Sequence, residues 1–581
     1  MANTGFLAAA LRKRYQAGAM DYWMTPLVKY DSGIAIGRIH DGDCVVFCCR
    51  RGDREVQLTE AFTDPVFKGF DASRMPRLAF IPFVVYHEKF AYLPTVFPTL
   101  QPEQTMGEVL SKAGLRQLRV AESEKAAHVS FFFNGRRAAA FAGEERLVVP
   151  SPKSSEFLSR PGTSTAQVAA AVVDAAHAGQ HDFILVNLAA GDIIGHLDDW
   201  DANIKCAEAV DSALGAICEA ASAASYLVAV TADHGLLERF RNDDGTTNTG
   251  HTTAQAPFAL IAPGMWQGRI ACTDARRARQ AHAIGTENAC IDEEATREAD
   301  REAIEEASGK ADWEISGASC GIANSGEFLP ADSAHGALSD VAPTLLSLMG
   351  IPAPQEMDGK VLFHSNAAWN RCILVVLDGW GIGVADPATN PIAAARVPVM
   401  DWILSNCPHT ALSAAELAVG LPAGRAGNSE TGHLTLGAGR VVPQDELRIA
   451  QSVEACGLAA NPALASGFEQ ITSTGGSLHV IMMLSEKSSH GNIREGVAVL
   501  EAAKANGIRR ANLHLVLDGR SSPPQGAADL LAVLDREVGT GIEWDAVTAV
   551  GRAYALDRSG DYAGKTRCAY VALTSGEGEA F

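Results

Sequence analysis

Ser429 lies in AGNSETGHLTLGAGR (426–440), beside Gly427 and ahead of residues able to start a helix. Glycine permits a tight turn without a Cβ penalty, and the free N–H groups of a helix amino terminus favour phosphate. Two readings stand for the motif alone: a nucleophilic hydroxyl, or a helix cap with Glu430 supporting the first turn. A second set of residues is suited to metal. Asp192 precedes His196 by four residues, Asp233 adjoins His234, and His251 lies in TGHTT. Asp and His both ligate divalent ions, and a pair four apart can face one ion. Each piece alone is weak, because a single loop histidine is more often capped than ligating. Asp192, Asp233 and Asp378 each close an apolar run. Three such carboxylates meeting without cations would repel, whereas two divalent ions would remove that cost. A serine beside them is activated by the metal.

A third set is basic. Arg51 and Arg54 follow one apolar run and Arg520 another. Arg552 and Arg558 lie in GRAYALDR, and Lys125 lies in ESEKAAHVSFFFNG. Guanidinium forks match phosphate and carboxylate oxygens, although solvated surface charge is the usual fate of any one arginine. Their placement right after apolar runs favours an anionic ligand. His490 follows VIMML and could exchange protons or contact phosphate; a satisfied loop histidine is the plainer reading.

The elements that must position these residues have an α/β signature. CILVVLD (372–378), FILVNLAAGD (183–192), YLVAVTADHG (226–235) and LHLVLDGR (513–520) are apolar runs that lead to Asp. Such runs suit strands buried on both faces of a parallel sheet, and ligands gather beyond the carboxyl ends of such strands. VVFCCRRGDR (45–54) has the same shape but delivers arginines. Helical patterns lie between, as in 165–178, 203–222 and 496–507. The charged stretch within 265–333 reads as a solvated insertion, and HSNAAWN (364–370) as a connector.

The chain has 581 residues, so two or three domains are expected. Its formal net charge of −21 argues against nucleic acid or anionic membrane as a partner, and an anionic substrate then needs a local basic pocket. Twelve scattered cysteines without a CxxC pair point to reduced thiols in the cytoplasm. No apolar run reaches membrane-span length. The first twenty residues resemble a transit peptide in composition, but a folded amphipathic helix is the preferred reading.

LDGWGIG, VGLPAGRAGNSETGHLTLGAGRVV, NLAAGDIIGH, VTADHG and TGHTT closely resemble the cofactor-independent phosphoglycerate mutases of the alkaline phosphatase superfamily. LVLDGR, GRAYALDR, DRSGDY and ESEKAAHVSFFFNG fit the same family. The resemblance covers nearly everything outside 265–333. Its order differs: in that family LDGWG lies near the amino terminus and VTADHG near the carboxyl end. A circular permutation is expected, with the family's ends fused near 364–370 and new ends opened at Phe581 and Met1. The resemblance implies a mostly parallel, helix-sandwiched phosphatase-like domain at 103–444. A smaller α/β substrate domain is implied from 1–102 and 445–581.

It further implies one metal at Asp192, His196 and His251, and a second at Asp378, Asp233, His234 and Ser429. Mn²⁺ suits these ligands, with Zn²⁺ or Co²⁺ as alternatives. Substrate contacts fall to His490, Arg520, Arg552, Arg558, Arg51, Arg54 and Lys125, and catalysis to Ser429, Lys125 and Arg520. Ser521 stands where the family has a substrate-contacting Asp, SEKSS replaces an Asp-Gly-Gly-Val stretch, and Asn492 replaces a second His. The implied activity is interconversion of 2- and 3-phosphoglycerate through a phosphoserine, with the small-molecule substrate held between the domains of a monomer. Alternatives are a phosphatase or other phosphomutase of the superfamily, or a non-catalytic relative.

Overall fold

The computed structural model describes residues 4–72, 75–242, 244–266, 329–330, 335–366 and 368–581. The insertion expected at 265–333 therefore lies almost wholly outside the described residues, as does residue 367 of the expected connector. The chain divides into a continuous unit, Gln101–Gln444, and a split unit, Met1–Leu100 with Asp445–Phe581.

The continuous unit is built on an eight-stranded sheet among the described residues. Its centre is parallel and runs, side by side, through Leu227–Thr231, Cys372–Leu377, Phe183–Leu188, Gln117–Glu122 and Glu144–Val149. The first four of these strands are buried throughout; the first three are therefore near-continuous apolar runs and not alternating ones, whereas the fourth, QLRVAE, buries Gln117, Arg119 and Glu122. Ala256–Ile261 pairs antiparallel with Leu227–Thr231 on one side and with His409–Ser413 on the other. Helices Thr165–Ala178 and Trp200–Ala223 pack together over the sheet. Asp199 starts the longer one by accepting from the Ala202 N–H. The helical pattern expected over 203–222 is thus real but extends further at its amino end.

The split unit holds a seven-stranded sheet among the described residues. Ala79–Pro82, Cys44–Cys48, Leu478–Leu484, Arg510–Leu517 and Glu543–Gly551 are successive parallel neighbours. Leu27–Val28 adds antiparallel at the far side. Strand Cys44–Cys48 belongs to the first sequence segment of the unit and Leu478–Leu484 to the second, so the two segments share one core. Helix Gly5–Gln16 buries Leu7, Ala8 and Leu11 in that core, in agreement with a folded helix there.

Candidate functional site

Four carboxyl ends of the continuous unit's sheet and one helix start deliver the first cluster. Strand Cys372–Leu377 leads directly into Asp378, and Leu227–Thr231 leads through Ala232 to Asp233. Asp192 differs from the sequence expectation: it lies beyond strand Phe183–Leu188, in the first turn of helix Ala190–Gly195. The short helix also sets the spacing that turns His196 back toward Asp192. Gly379 adopts φ +76°, and a Cβ there would come 3.0 Å from the Asp192 nitrogen; the turn after Asp378 can close on Asp192 because that position is glycine. Lys125 follows strand Gln117–Glu122.

Ser429 is the first residue of helix Ser429–Ala438, but it is not the cap. Asn428 is: its side chain accepts from the Thr431 N–H in a reciprocal capping box. The serine hydroxyl is thereby left free for other partners. It accepts from Lys125 Nζ at 2.6 Å, donates to Asp378 Oδ1 at 3.2 Å, and lies 3.0 Å from His234 Nε2. Gly432, one turn on, lets the helix press against Asp233, since a Cβ there would sit 2.5 Å from the Asp233 carbonyl oxygen.

Two groups of ligand atoms converge here. Asp192, His196 and His251 form one, and Asp192, His234 and Asp378 the other. In the first, Asp192 Oδ1 lies 3.0 Å from His251 Nε2 and 3.3 Å from His196 Nε2, and the two imidazole Nε2 atoms are 3.2 Å apart. Both rings direct Nδ1 at backbone carbonyls, Thr249 for His196 and Gly427 for His251. With each Nδ1 occupied there, both Nε2 atoms turn to the Asp192 carboxylate, which they can bond when protonated or join in ligating a cation. In the second group, His234 Nε2 faces Asp378 Oδ1 at 3.4 Å, Asp192 Oδ1 at 3.6 Å and Asp233 Oδ2 at 3.7 Å. Asp233 Oδ2 is buried without a hydrogen bond. These donor sets fit divalent ions of borderline character.

The electrostatics have the same cause. Burial works against charge on Asp192 and Asp233, yet both are held far below the usual carboxylate range, Asp192 by hydrogen bonds from His196 and His251, Asp233 by His234 and His433, and both by Lys125. Burial also opposes charge on His234, but Asp233, Asp378 and Asp192 raise it to about 9. Lys125 is likewise raised above the ordinary lysine range against its burial, by Asp378, Asp192 and Asp233. A cleft of about 740 Å³ opens in front, lined by Lys125, Asp192, His196, His251 and Ser429.

Sequence reading missed the groups behind this cluster. Asn187 donates to Asp378 Oδ2 at 2.6 Å, and His433, fully buried, lies 3.2 Å from Asp233 Oδ2. The Asn within FILVNL, a polar residue in a strand buried on both faces, was the available signal.

The split unit gathers a second cluster at the carboxyl ends of its strands. Arg552 Nη1 donates to Asp518 Oδ1 at 2.6 Å, both buried. His490 Nδ1 bonds Glu55 Oε1 at 2.9 Å, and Arg54 Nη1 donates to the Leu556 carbonyl at 3.3 Å. Arg51 and Arg558 are exposed, each 3.4 Å from Asp53. Arg520 is exposed, and the Ser521 N–H is held by Asp518 Oδ2. Lys125, read with the arginines from sequence, instead stands among the metal-type ligands of the continuous unit. Asn492 caps helix Ile493–Ala505 in a box with Glu495. Glu55, Arg50 and Asp518 were not anticipated. Arg50 pairs with Glu495 at 3.0 Å and donates to the Ser488 carbonyl, and the RRGDRE string gave no sign of which charges turn inward.

Two sequence families match the chain. Residues 42–287 match the Metalloenzyme superfamily, and residues 449–581 match the BPG-independent PGAM N-terminus. Among curated proteins, the chain resembles the 2,3-bisphosphoglycerate-independent phosphoglycerate mutases. That of Salinibacter ruber is 34% identical over 364 residues, 62% of this chain and 57% of the relative. Those of Nitrosococcus oceani and Myxococcus xanthus are 38% and 40% identical, each over 44% of this chain and 49% and 50% of the relative. The chain thus spans about half the length of the curated relatives it matches. A solved Leishmania mexicana phosphoglycerate mutase, crystallised at low cobalt concentration, matches at 28% identity over 41% of this chain and 46% of its own, with a TM-score of 0.31. The superfamily match and the two ligand groups support dependence on a divalent metal.

Proposed function

We propose that the chain is a phosphoglycerate mutase that interconverts 2- and 3-phosphoglycerate through a phosphoserine at Ser429. The observation that carries this reading is the Ser429 hydroxyl, uncommitted as a cap and held within 3.2 Å of Lys125, His234 and Asp378. Asp192, His196 and His251 would hold one divalent ion, and Asp378, Asp233, His234 and Ser429 the other; Mn²⁺ suits this mixed set, and Zn²⁺ or Co²⁺ would also fit. When bound, the ions supply charge stabilisation on the phosphoryl oxygens and acidify the serine hydroxyl.

The chain's own residues do the rest. Ser429 Oγ attacks phosphorus in line, the P–O bond to glycerate breaks, and the serine proton has Asp378 Oδ1 as its acceptor. Lys125 donates to Oγ and steadies the developing charge. Arg54, Arg552, Arg520 and His490, with Arg51 and Arg558, match the phosphate and carboxylate of the substrate. Glycerate retained in place then takes the phosphoryl group on its other hydroxyl, which regenerates Ser429. Water must stay excluded while phosphoserine exists. Ser429→Ala is expected to abolish 2- to 3-phosphoglycerate conversion in an enolase-coupled assay with metal content unchanged. Substantial conversion by that variant overturns the reading, and free phosphate release without conversion favours a phosphatase.

We also infer a circular permutation. The profile for the family's N-terminus matches the carboxyl-terminal segment 449–581, after the Metalloenzyme match at 42–287. A chain that joins Phe581 to Met1 and opens at 364–370 should fold and turn over substrate; failure to fold counts against the inference. A reducing, cytoplasmic setting is supported by the nine described cysteines, all unpaired and seven of them buried.

A further inference from the structure

The amino ends of strands Leu478–Leu484 and Arg510–Leu517 carry a cavity of about 550 Å³. His490 and Asp518 follow the opposite ends of these strands. A seven-residue strand rises about 3.3 Å per residue, so roughly 20 Å of sheet separates the cavity from those groups. The lining includes Arg38, His40, Arg509, Arg510 and Asn512. In a chain of net charge −21, this much basic lining, with no carboxylate among the lining residues, is a local reversal of sign.

The decisive group is Asn512. It is only 8% exposed, it lines the cavity, and its side-chain amide has no hydrogen-bond partner among the described residues. Its neighbours across the sheet cannot serve it. His479, directly opposite, is spent on His514 and Asp43. Asp545, opposite on the other side, accepts from Lys29 and Arg510. Asp43 accepts from the His40 and Ser477 N–H groups as well. Arg38 and Arg509 have no side-chain partner among the described residues, and His40 directs Nδ1 at the Ile39 carbonyl, which leaves Nε2 uncommitted.

We propose that this cavity is a second anion-binding site, for a small phosphate- or carboxylate-bearing metabolite whose charge meets Arg38 and Arg509 and whose polar group pairs with the Asn512 amide. The volume suits a small molecule and not a macromolecule. None of these residues belongs to the phosphoryl-transfer machinery, so the proposal stands apart from that reading.

The test is arginine labelling of the full chain with phenylglyoxal, mapped by peptide mass spectrometry. One arm adds inorganic phosphate and the other adds succinate. At least threefold protection of Arg38 and Arg509 in either arm is expected, with Arg12 on helix Gly5–Gln16 as the unprotected reference; the arm that protects at lower concentration identifies the anion. Labelling of Arg38 and Arg509 unaffected by both anions overturns the proposal. Asn512→Leu, close in volume, should raise the half-protecting concentration at least fivefold while 2- to 3-phosphoglycerate conversion is unchanged. Unaltered protection in that variant overturns the assignment of the amide.

Discussion

Glu55→Gln is the sharpest test of how the split unit prepares its site. Glu55 is fully buried, and both its oxygens are used. Oε1 bonds His490 Nδ1 at 2.9 Å and Oε2 accepts from the Arg54 N–H at 3.1 Å. Burial raises its carboxyl above the ordinary range, and the His490 contact pulls the other way. Glutamine keeps the length but offers one acceptor and one NH₂. The Arg54 N–H can only donate and claims the glutamine oxygen, so the NH₂ faces His490 Nδ1, which must move its proton to Nε2 or lose the bond. Losing one buried hydrogen bond costs about 1–3 kcal/mol. If His490 loses that free energy in the transition state, conversion falls roughly five- to 160-fold, at about 1.36 kcal/mol per factor of ten. Measuring kcat and KM separately in the enolase-coupled assay tells whether His490 acts in the transition state or only grips the ground state. Glu55→Asp keeps the charge and should restore part of the loss. A Glu55→Gln protein with normal kcat, normal KM and an unchanged urea midpoint would refute the argument.

Asp192 contributes to both ligand groups, so Asp192→Asn should lower bound divalent metal per chain by half or more after dialysis, as read by elemental mass spectrometry, and conversion should fall with it; undiminished metal would count against the shared-ligand assignment. Asp211 accepts from the Val399 and Met400 N–H groups at a helix start, yet burial pushes its carboxyl up to about 6. The folded state therefore keeps a proton that the unfolded chain gives up between about pH 4 and 6, so this group's contribution to stability is lost as pH rises through that window. Asp211→Asn should flatten that part of the pH dependence in urea unfolding between pH 4.5 and 7.5; an unchanged slope would contradict it.

Much of the site was visible in residue order because parallel strands buried on both faces are written as unbroken apolar runs. The runs ending near Asp378 and Asp233 could be placed at one sheet edge without coordinates. Asp192 was the exception, because a short helix after Phe183–Leu188 carries it, and four-residue spacing serves a helix as readily as a loop. The role of Ser429 was open in the sequence. Asn428 resolved it by taking the cap, a matter of which of two adjacent polar side chains reaches a backbone N–H.

Residue types alone determined that the chain is α/β, that metal-type ligands and a serine occur in a specific motif, and that an acidic protein must concentrate its arginines locally. Only the tertiary structure decided which polar and charged groups turn inward: Lys125 among carboxylates, Glu55 against His490, Asn512 into a basic cavity. The reason is that burial and pairing are set by contacts between residues hundreds of positions apart, such as Lys125 with Ser429 and Glu55 with His490. Local periodicity carries no record of such contacts.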